Sequence, residues 1–272
     1  MGEAVNVRQE NEGAVWLKVD SLCKNENEFC GLRDVSFSVA KGGIHGILGA
    51  KGSGKTLLLD ILAGCALPNG GKITFLNVQE RGMPTASRQR IGYVPAVPSF
   101  YEDMTVAEVL DFVGDARRVL PDKRYRQIQE ALELTGLSEI PNRLIARLSR
   151  EEKKRLSFAA ALLGNTELLL LDEPLTGVGE AATAEILSLI RLLGKHKTVV
   201  LASARYALVR ELCEDCMLLA DGISLAQGSF EQLDQAVLAS HQTSLEDFYA
   251  SLSETASEDK VGEKHEEMEE QE

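Results

Sequence analysis

The run Gly49-Ala50-Lys51-Gly52-Ser53-Gly54-Lys55-Thr56 fits GxxxxGK(S/T), and it lies between an apolar stretch, Ile44 to Leu48, and a helical pattern beginning at Leu57. A strand, a glycine loop and a helix in that order constrain the fold more than any other feature of the chain, because together they build a phosphate cradle. Glycines let backbone NH groups approach a polyphosphate closely, and the helix adds the positive end of its dipole. In such a cradle Lys55 reaches the β and γ phosphates, the Thr56 hydroxyl ligates Mg²⁺, and the amides of Gly52 to Thr56 wrap the β phosphate. The nucleotide-binding set is then Gly49, Ala50, Lys51, Gly52, Ser53, Gly54, Lys55, Thr56 and Leu57. The implied ligand is ATP or GTP.

A chain of 272 residues with 44% apolar content can bury a sizeable core, and one domain with a smaller subdomain fits that size. The formal charge of -13 argues against nucleic acid as a partner, since phosphate-backbone binding needs clustered Lys and Arg. Much of that charge is terminal. Residues 253–272 hold nine acids and two bases, a net of -7 that leaves -6 for the rest. With almost nothing apolar, this segment cannot offset the entropy of ordering, so a domain over residues 1–252 and an acidic disordered tail over 253–272 are expected. An acidic docking arm for a basic partner is the alternative reading of the tail.

No apolar run approaches the roughly 18 residues of a membrane span, and the N-terminus lacks a signal-peptide pattern, so a cytoplasmic chain is expected. The five cysteines, Cys23, Cys30, Cys65, Cys213 and Cys216, suggest no disulfide framework. Cys213 and Cys216 form a CxxC without the second pair that zinc would want, and the apolar run Met217 to Ala220 beside them points to core packing.

Strands are expected at Val15–Val19, Val35–Val39, Ile73–Leu76 and Ile91–Val94, with a turn at Pro68-Asn69-Gly70-Gly71. From Thr105 to about Leu163 the pattern is mostly helical, divided by Pro121 and Pro141, which implies a helical subdomain over about residues 97–160. The continuous apolar run Leu168 to Leu171 reads as a fully buried parallel strand, and Thr198 to Leu201 as another, with an amphipathic helix from about Ala181 to Leu193 between them. The fold class is therefore α/β with a mainly parallel sheet core and an antiparallel β edge, and Asp221-Gly222 reads as a hairpin turn near an edge.

Asp172 and Glu173 follow the apolar strand. A carboxylate at a strand's carboxyl end beside a phosphate loop can hold Mg²⁺, and a second one can orient the attacking water. Here the chain resembles the ATP-binding subunits of ABC transporters over roughly residues 14–230. Leu171-Asp172-Glu173-Pro174 looks like the Walker B motif with its catalytic glutamate, Glu173, and Thr56 with Asp172 as the metal ligands. Leu148-Ser149-Arg150-Glu151-Glu152 lies where the LSGGQ signature belongs. The segments Ile91 to Pro95 and Met104 to Glu108 are similar to those around the Q-loop in the branch that pairs with separate, usually exporting, membrane subunits. The resemblance implies a P-loop NTPase of ABC type, ATP with Mg²⁺, a homodimer or heterodimer with another ABC ATP-binding subunit, and a separate transmembrane permease subunit at the inner face of the plasma membrane.

Several positions depart from that pattern. Ala96 stands where the family usually has the Q-loop glutamine, Ala204 where it has the switch histidine, and Gly179 where it has the D-loop aspartate. No aromatic is in register near Asn25 to stack on adenine, and Phe29 would serve only through a shifted loop. The signature glycines are replaced, and Ser149 with Glu152 fits the capping box SxxE, so this helix is expected to satisfy its own N-terminal donors. Glu151 and Glu152 should repel a partner's γ-phosphate unless Arg150 compensates. Losing one transition-state donor typically costs about 100- to 1000-fold in rate. Slow or absent hydrolysis with ATP binding retained is the expectation. The alternatives are surviving hydrolysis through Lys55, Asp172 and Glu173, and a regulatory pseudo-ATPase that pairs with an intact ABC subunit. A chromosome-maintenance ATPase is set aside, because Thr105 to Leu148 is too short for its coiled coil.

Overall fold

The computed structural model describes residues 15–26, 29–75, 78–80, 85–241 and 243–254. Its strands are β1 (Val15–Glu26), β2 (Phe29–Ala40), β3 (Ile44–Leu48), β4 (Gly70–Phe75), β5 (Val78–Glu80), β6 (Ile91–Val94), β7 (Leu168–Asp172), β8 (Thr198–Ser203), β9 (Asp215–Ala220) and β10 (Ile223–Ser229). They form one sheet in the order β5-β4-β1-β2-β10-β9-β3-β8-β7-β6. Strands β9, β3, β8, β7 and β6 pair in parallel, whereas β5, β4, β1 and β2 pair antiparallel. This is the parallel core with an antiparallel flank that the alternating strands and helices predict.

The hairpin at Asp221-Gly222 departs from expectation. It joins β9 to β10 in the middle of the sheet, where β10 bridges the parallel core to β2, and not at an edge. The turn type is as read, since both central residues have positive φ, 47° and 72°. Two consecutive turn residues report local geometry only; the place of a hairpin in a sheet is set by distant pairings.

All five residues of β7 are buried, and its four leucines divide between two cores. Leu169 and Leu171 join the cluster that includes Ile186, Ile190 and Val209, whereas Leu168 and Leu170 join the one that includes Leu58, Leu62 and Val35. A strand covered on both faces has no polar side to present, which is why the sequence shows no alternation there. Cys213 and Cys216 lie in the first cluster, and burial pushes both thiols up, Cys216 to about 12. They are core residues. Among the described residues no group of His, Cys, Asp and Glu suits a metal by itself.

The helices are α1 (Lys55–Ala63), α2 (Val106–Ala116), α3 (Pro121–Thr135), α4 (Arg150–Leu162), α5 (Glu180–Gly194), α6 (Tyr206–Leu212), α7 (Phe230–His241) and α8 (residues 245–254). Helix α1 begins at Lys55, two residues before the apolar pattern starts. Helices α2, α3 and α4 pack on one another around Val109, Leu110, Leu132 and Leu156, a third core that makes the helical subdomain. Pro121 occupies the first turn of α3, where its missing NH costs nothing. Arg117, which caps α2, fastens this subdomain to the sheet by donating to the carbonyls of Leu163 and Ile91, each at 2.9 Å. Ser253 and Glu254 close α8, so helix reaches two residues into the segment assigned to the acidic tail. The rest of that tail, residues 255–272, lies outside the described residues.

Candidate nucleotide and metal site

Register brings the site together. Leu48 at the end of β3 pairs with Ser203 at the end of β8, and Asp172 at the end of β7 pairs with Ala202. The carboxyl ends of three adjacent parallel strands therefore open on one edge, the place where α/β sheets bind ligands. The phosphate loop starts there, with the Gly49 amide donating to the Ser203 carbonyl at 3.4 Å.

Gly54 turns the loop into α1 at φ 100°, a left-handed conformation, and a Cβ on it would stand 2.8 Å from the Leu32 side chain. Only glycine fits that combination without strain. The Lys55 side chain is buried and folds back over the loop, donating to the carbonyls of Gly49 at 2.7 Å and Ala50 at 2.9 Å. Its Nζ also lies 3.9 Å from Glu173 Oε1.

The Thr56 hydroxyl donates to Asp172 Oδ2 at 2.8 Å across 116 positions of sequence. Asp172 is fully buried, and its other oxygen, Oδ1, has no hydrogen-bond partner among the described residues. A buried carboxylate oxygen left unpaired costs free energy that a native site normally recovers from a ligand. Burial pushes the Asp172 carboxyl above its ordinary range, the Thr56 bond opposes that shift, and neighbouring Glu173 adds to it. A hard divalent cation takes oxygen ligands, and a hydroxyl beside an unpartnered carboxylate oxygen at the mouth of a phosphate loop fits Mg²⁺ on those terms.

Glu173 sits at φ 41°, a conformation rare for a residue with a side chain. Its surroundings hold it there. The Glu173 NH donates to the Ala202 carbonyl at 2.9 Å, Oε1 accepts from the Ala204 NH at 2.7 Å, and Oε2 accepts from the Ser203 hydroxyl at 2.8 Å. Both carboxylate oxygens are thus engaged by the last residue of β8 and the one after it. Ala204, half-buried, turns only its backbone toward Glu173 in these contacts. His196 is exposed in the loop before β8, at the opposite end of that strand, as its position in the sequence predicts.

The signature segment lies at the N-terminus of α4. Ser149 Oγ accepts from the Glu152 NH at 3.1 Å and Glu152 Oε2 accepts from the Ser149 NH at 2.8 Å, so the capping box forms as expected. The acids are less exposed electrostatically than the sequence suggests. Glu151 pairs with Arg155 at 3.1 Å and Glu152 with Arg143 at 2.7 Å, and Arg150 has no ion-pair partner among the described residues. Gly179, in the D-loop position, precedes α5 with open space around it. The side chain of Phe29 lies outside the described residues.

Lys154 escaped the motif reading. It stands one turn into α4, fully buried, and donates to the carbonyls of Pro95 at 2.9 Å and Ala96 at 2.7 Å. Burial pulls its ammonium down to about 8, although the charges of Asp172 and Glu173 work the other way. A lysine thus joins α4 to the Pro95-Ala96 segment. In the sequence it is one of three consecutive basic residues, Lys153-Lys154-Arg155, in a charged first half of the helix, and nothing there singles it out as the buried one.

Known proteins share these features. The family model described as ABC transporter matches residues 32–176, more than half of the chain. The chain is 33% identical over 219 residues to the uncharacterized ABC transporter ATP-binding protein YxlF of Bacillus subtilis, covering 80% of this chain and 72% of that protein. It is 32% identical over 200 residues to the probable multidrug ABC transporter ATP-binding protein YbhF of Escherichia coli, covering 74% of this chain but 35% of that protein. In fold it matches a dimeric ATP-binding cassette solved in a post-hydrolysis state with ADP and Pi, with a TM-score of 0.71 at 22% identity over 78% of this chain and 98% of the other. By the family model and these relatives, the chain belongs to the ABC transporter ATP-binding family.

Proposed function

We propose that this chain binds Mg²⁺ with ATP, pairs with itself or with another ABC ATP-binding subunit, and acts on a separate transmembrane permease subunit from the inner face of the plasma membrane, with hydrolysis slow or absent. Among the described residues no helix is long and apolar enough to cross a membrane. One observation carries the nucleotide reading: at the mouth of a phosphate loop the Thr56 hydroxyl bonds Asp172 Oδ2, and Asp172 Oδ1 has no partner among the described residues. Lys55 would leave the Gly49 and Ala50 carbonyls for the phosphates. Glu173 is the candidate general base.

The permease reading draws support from the segment after Ala96, where Val97 is 76% exposed and Tyr101 70% exposed. Large apolar side chains so near a site, and so open, suit a protein surface. Dimer formation is favoured by the dimeric solved neighbour and by Arg150, the cation of the signature segment best able to meet a partner's phosphate.

Slow turnover is favoured by Glu173. Two donors already hold its carboxylate, and neither Ala96 nor Ala204 offers a side-chain donor for the γ-phosphate. The second reading, a regulatory pseudo-ATPase paired with an intact ABC subunit, draws on the same observation together with Gly179. In a heterodimer, Ala96 and Ala204 would fall in one site and the altered signature in the other.

Titration with a fluorescent ATP analogue, with and without Mg²⁺, tests the binding half of this proposal. Wild-type chain should bind more tightly with Mg²⁺, and Thr56→Ala should lose about tenfold in that condition while binding as wild type without the metal. Equal loss in both conditions would remove the Thr56 hydroxyl from the metal site.

A further inference from the structure

Helix α8 reaches the site from the far end of the chain. Tyr249 is 7% exposed, stacks on Tyr206 with ring centroids 6.3 Å apart, and donates its hydroxyl to the Ala204 carbonyl at 2.8 Å. Leu245 is fully buried in the same cluster, so the helix is docked and not merely adjacent. The next links are short. From Ala204 the NH runs to Glu173 Oε1 at 2.7 Å, Ser203 runs to Oε2 at 2.8 Å, and Lys55 stands 3.9 Å from Oε1.

We propose that Tyr249 is a positioning residue that holds the Ser203-Ala204 segment against Glu173, so that nucleotide at the phosphate loop and docking of α8 oppose each other. This inference rests on the nucleotide reading above. The physical reason is the charge on Lys55. When Lys55 turns to a polyphosphate, Glu173 loses its nearest cation and gains a like charge, and the attraction that keeps it over the loop becomes repulsion. Glu173 then draws on the Ser203 and Ala204 donors, and the Tyr249 bond to Ala204 is the next to yield. Reciprocity follows, because whatever loosens α8 must favour nucleotide by the same factor. Ala204 makes both bonds with its main chain, so the coupling runs through backbone.

Hydrogen exchange on the full chain, with and without Mg²⁺ and ATP, tests this independently of turnover. Exchange at residues 49–57 should slow, which reports nucleotide. Exchange at residues 245–254 should quicken by about fivefold, the effect of losing one ordinary hydrogen bond. In Tyr249→Phe, which keeps the ring, α8 should exchange faster before nucleotide is added and then respond no further. If that variant fails to fold, Ser203→Ala removes one of the two links between this segment and Glu173 and should weaken the response at 245–254, and a response equal to wild type would count against the coupling. Protection at 49–57 with no change at 245–254, or a response in Tyr249→Phe equal to wild type, would overturn the coupling. No protection at 49–57 would overturn the nucleotide reading and this inference with it, so the two failures are told apart.

Discussion

Ala204→His should raise ATP turnover by about tenfold or more, with nucleotide affinity changed little. The imidazole would supply a donor near the γ-phosphate, and a single transition-state donor is typically worth about 100- to 1000-fold. A smaller gain is expected, because Ala96 and Gly179 remain and effects within one assembly do not multiply. The contacts of Ala204 with Glu173 and Tyr249 run through its NH and its carbonyl, which a histidine keeps. Phosphate release measured on Ala204→His, Ala96→Gln and the double variant would check this. The double variant should exceed either single one. A flat response across all three would mean that the signature or the D-loop limits the rate.

The second large effect concerns Lys154→Met, which should destabilise the chain by about 2 kcal/mol near neutral pH. The substitution keeps an unbranched stem of similar length but leaves the Pro95 and Ala96 carbonyls without their donor, and each buried unpaired group costs about 1–3 kcal/mol. Part of that loss is offset, because a buried ammonium is itself costly. For a chain of this size about 2 kcal/mol corresponds to a fall in Tm of roughly 4–8 °C.

The pH dependence follows from the direction of the Lys154 shift. Its folded pKa, pulled down to about 8 by burial, lies below the ordinary 10.5, so between those values the unfolded chain binds more protons than the folded one. Stability from this group therefore rises with pH across that window. The neutral amine still has two NH groups for its two carbonyls. Thermal unfolding at a series of pH values should show the difference between wild type and Lys154→Met widening above about pH 8. A difference that shrinks there would place the lysine elsewhere in the folded chain.

Much of the fold was legible because the relevant signals are local. The phosphate loop needs glycines at fixed spacing, the buried strands Ile44–Leu48 and Leu168–Asp172 are short apolar runs, and Pro121 marks a helix start. The capping box at Ser149 was equally plain, since its two partners are three residues apart. What stayed hidden depends on distance in sequence. Lys154 meets Ala96 from 58 positions away, and Tyr249 meets Ala204 from 45. No spacing rule links such residues. His45 is a similar case: buried at 5% exposure, its Nδ1 meets Asp215 at 3.0 Å and its Nε2 meets the Gly42 carbonyl at 2.8 Å. Burial opposes its charge, and Asp215 more than compensates, raising it above the ordinary imidazole value. Nothing in the apolar run Ile44–Leu48 announced that partner. The acids at the candidate signature were visible as charges, and Glu151 with Arg155 is an i,i+4 pair within α4, but the pairing of Glu152 with Arg143, nine positions back in the preceding loop, required the packing of α4 against its neighbours.

The central claim is that this chain holds ATP with Mg²⁺ while lacking side chains that would make the γ-phosphate a trigger. Single-site turnover of ATP by the purified chain, measured beside its nucleotide affinity and beside the Glu173→Gln variant, tests it most directly. The account predicts Mg²⁺-dependent binding, turnover well below the roughly 1 s⁻¹ at which ordinary enzymes begin, and little further loss in Glu173→Gln. Turnover at an ordinary enzymatic rate, abolished by Glu173→Gln, would contradict it.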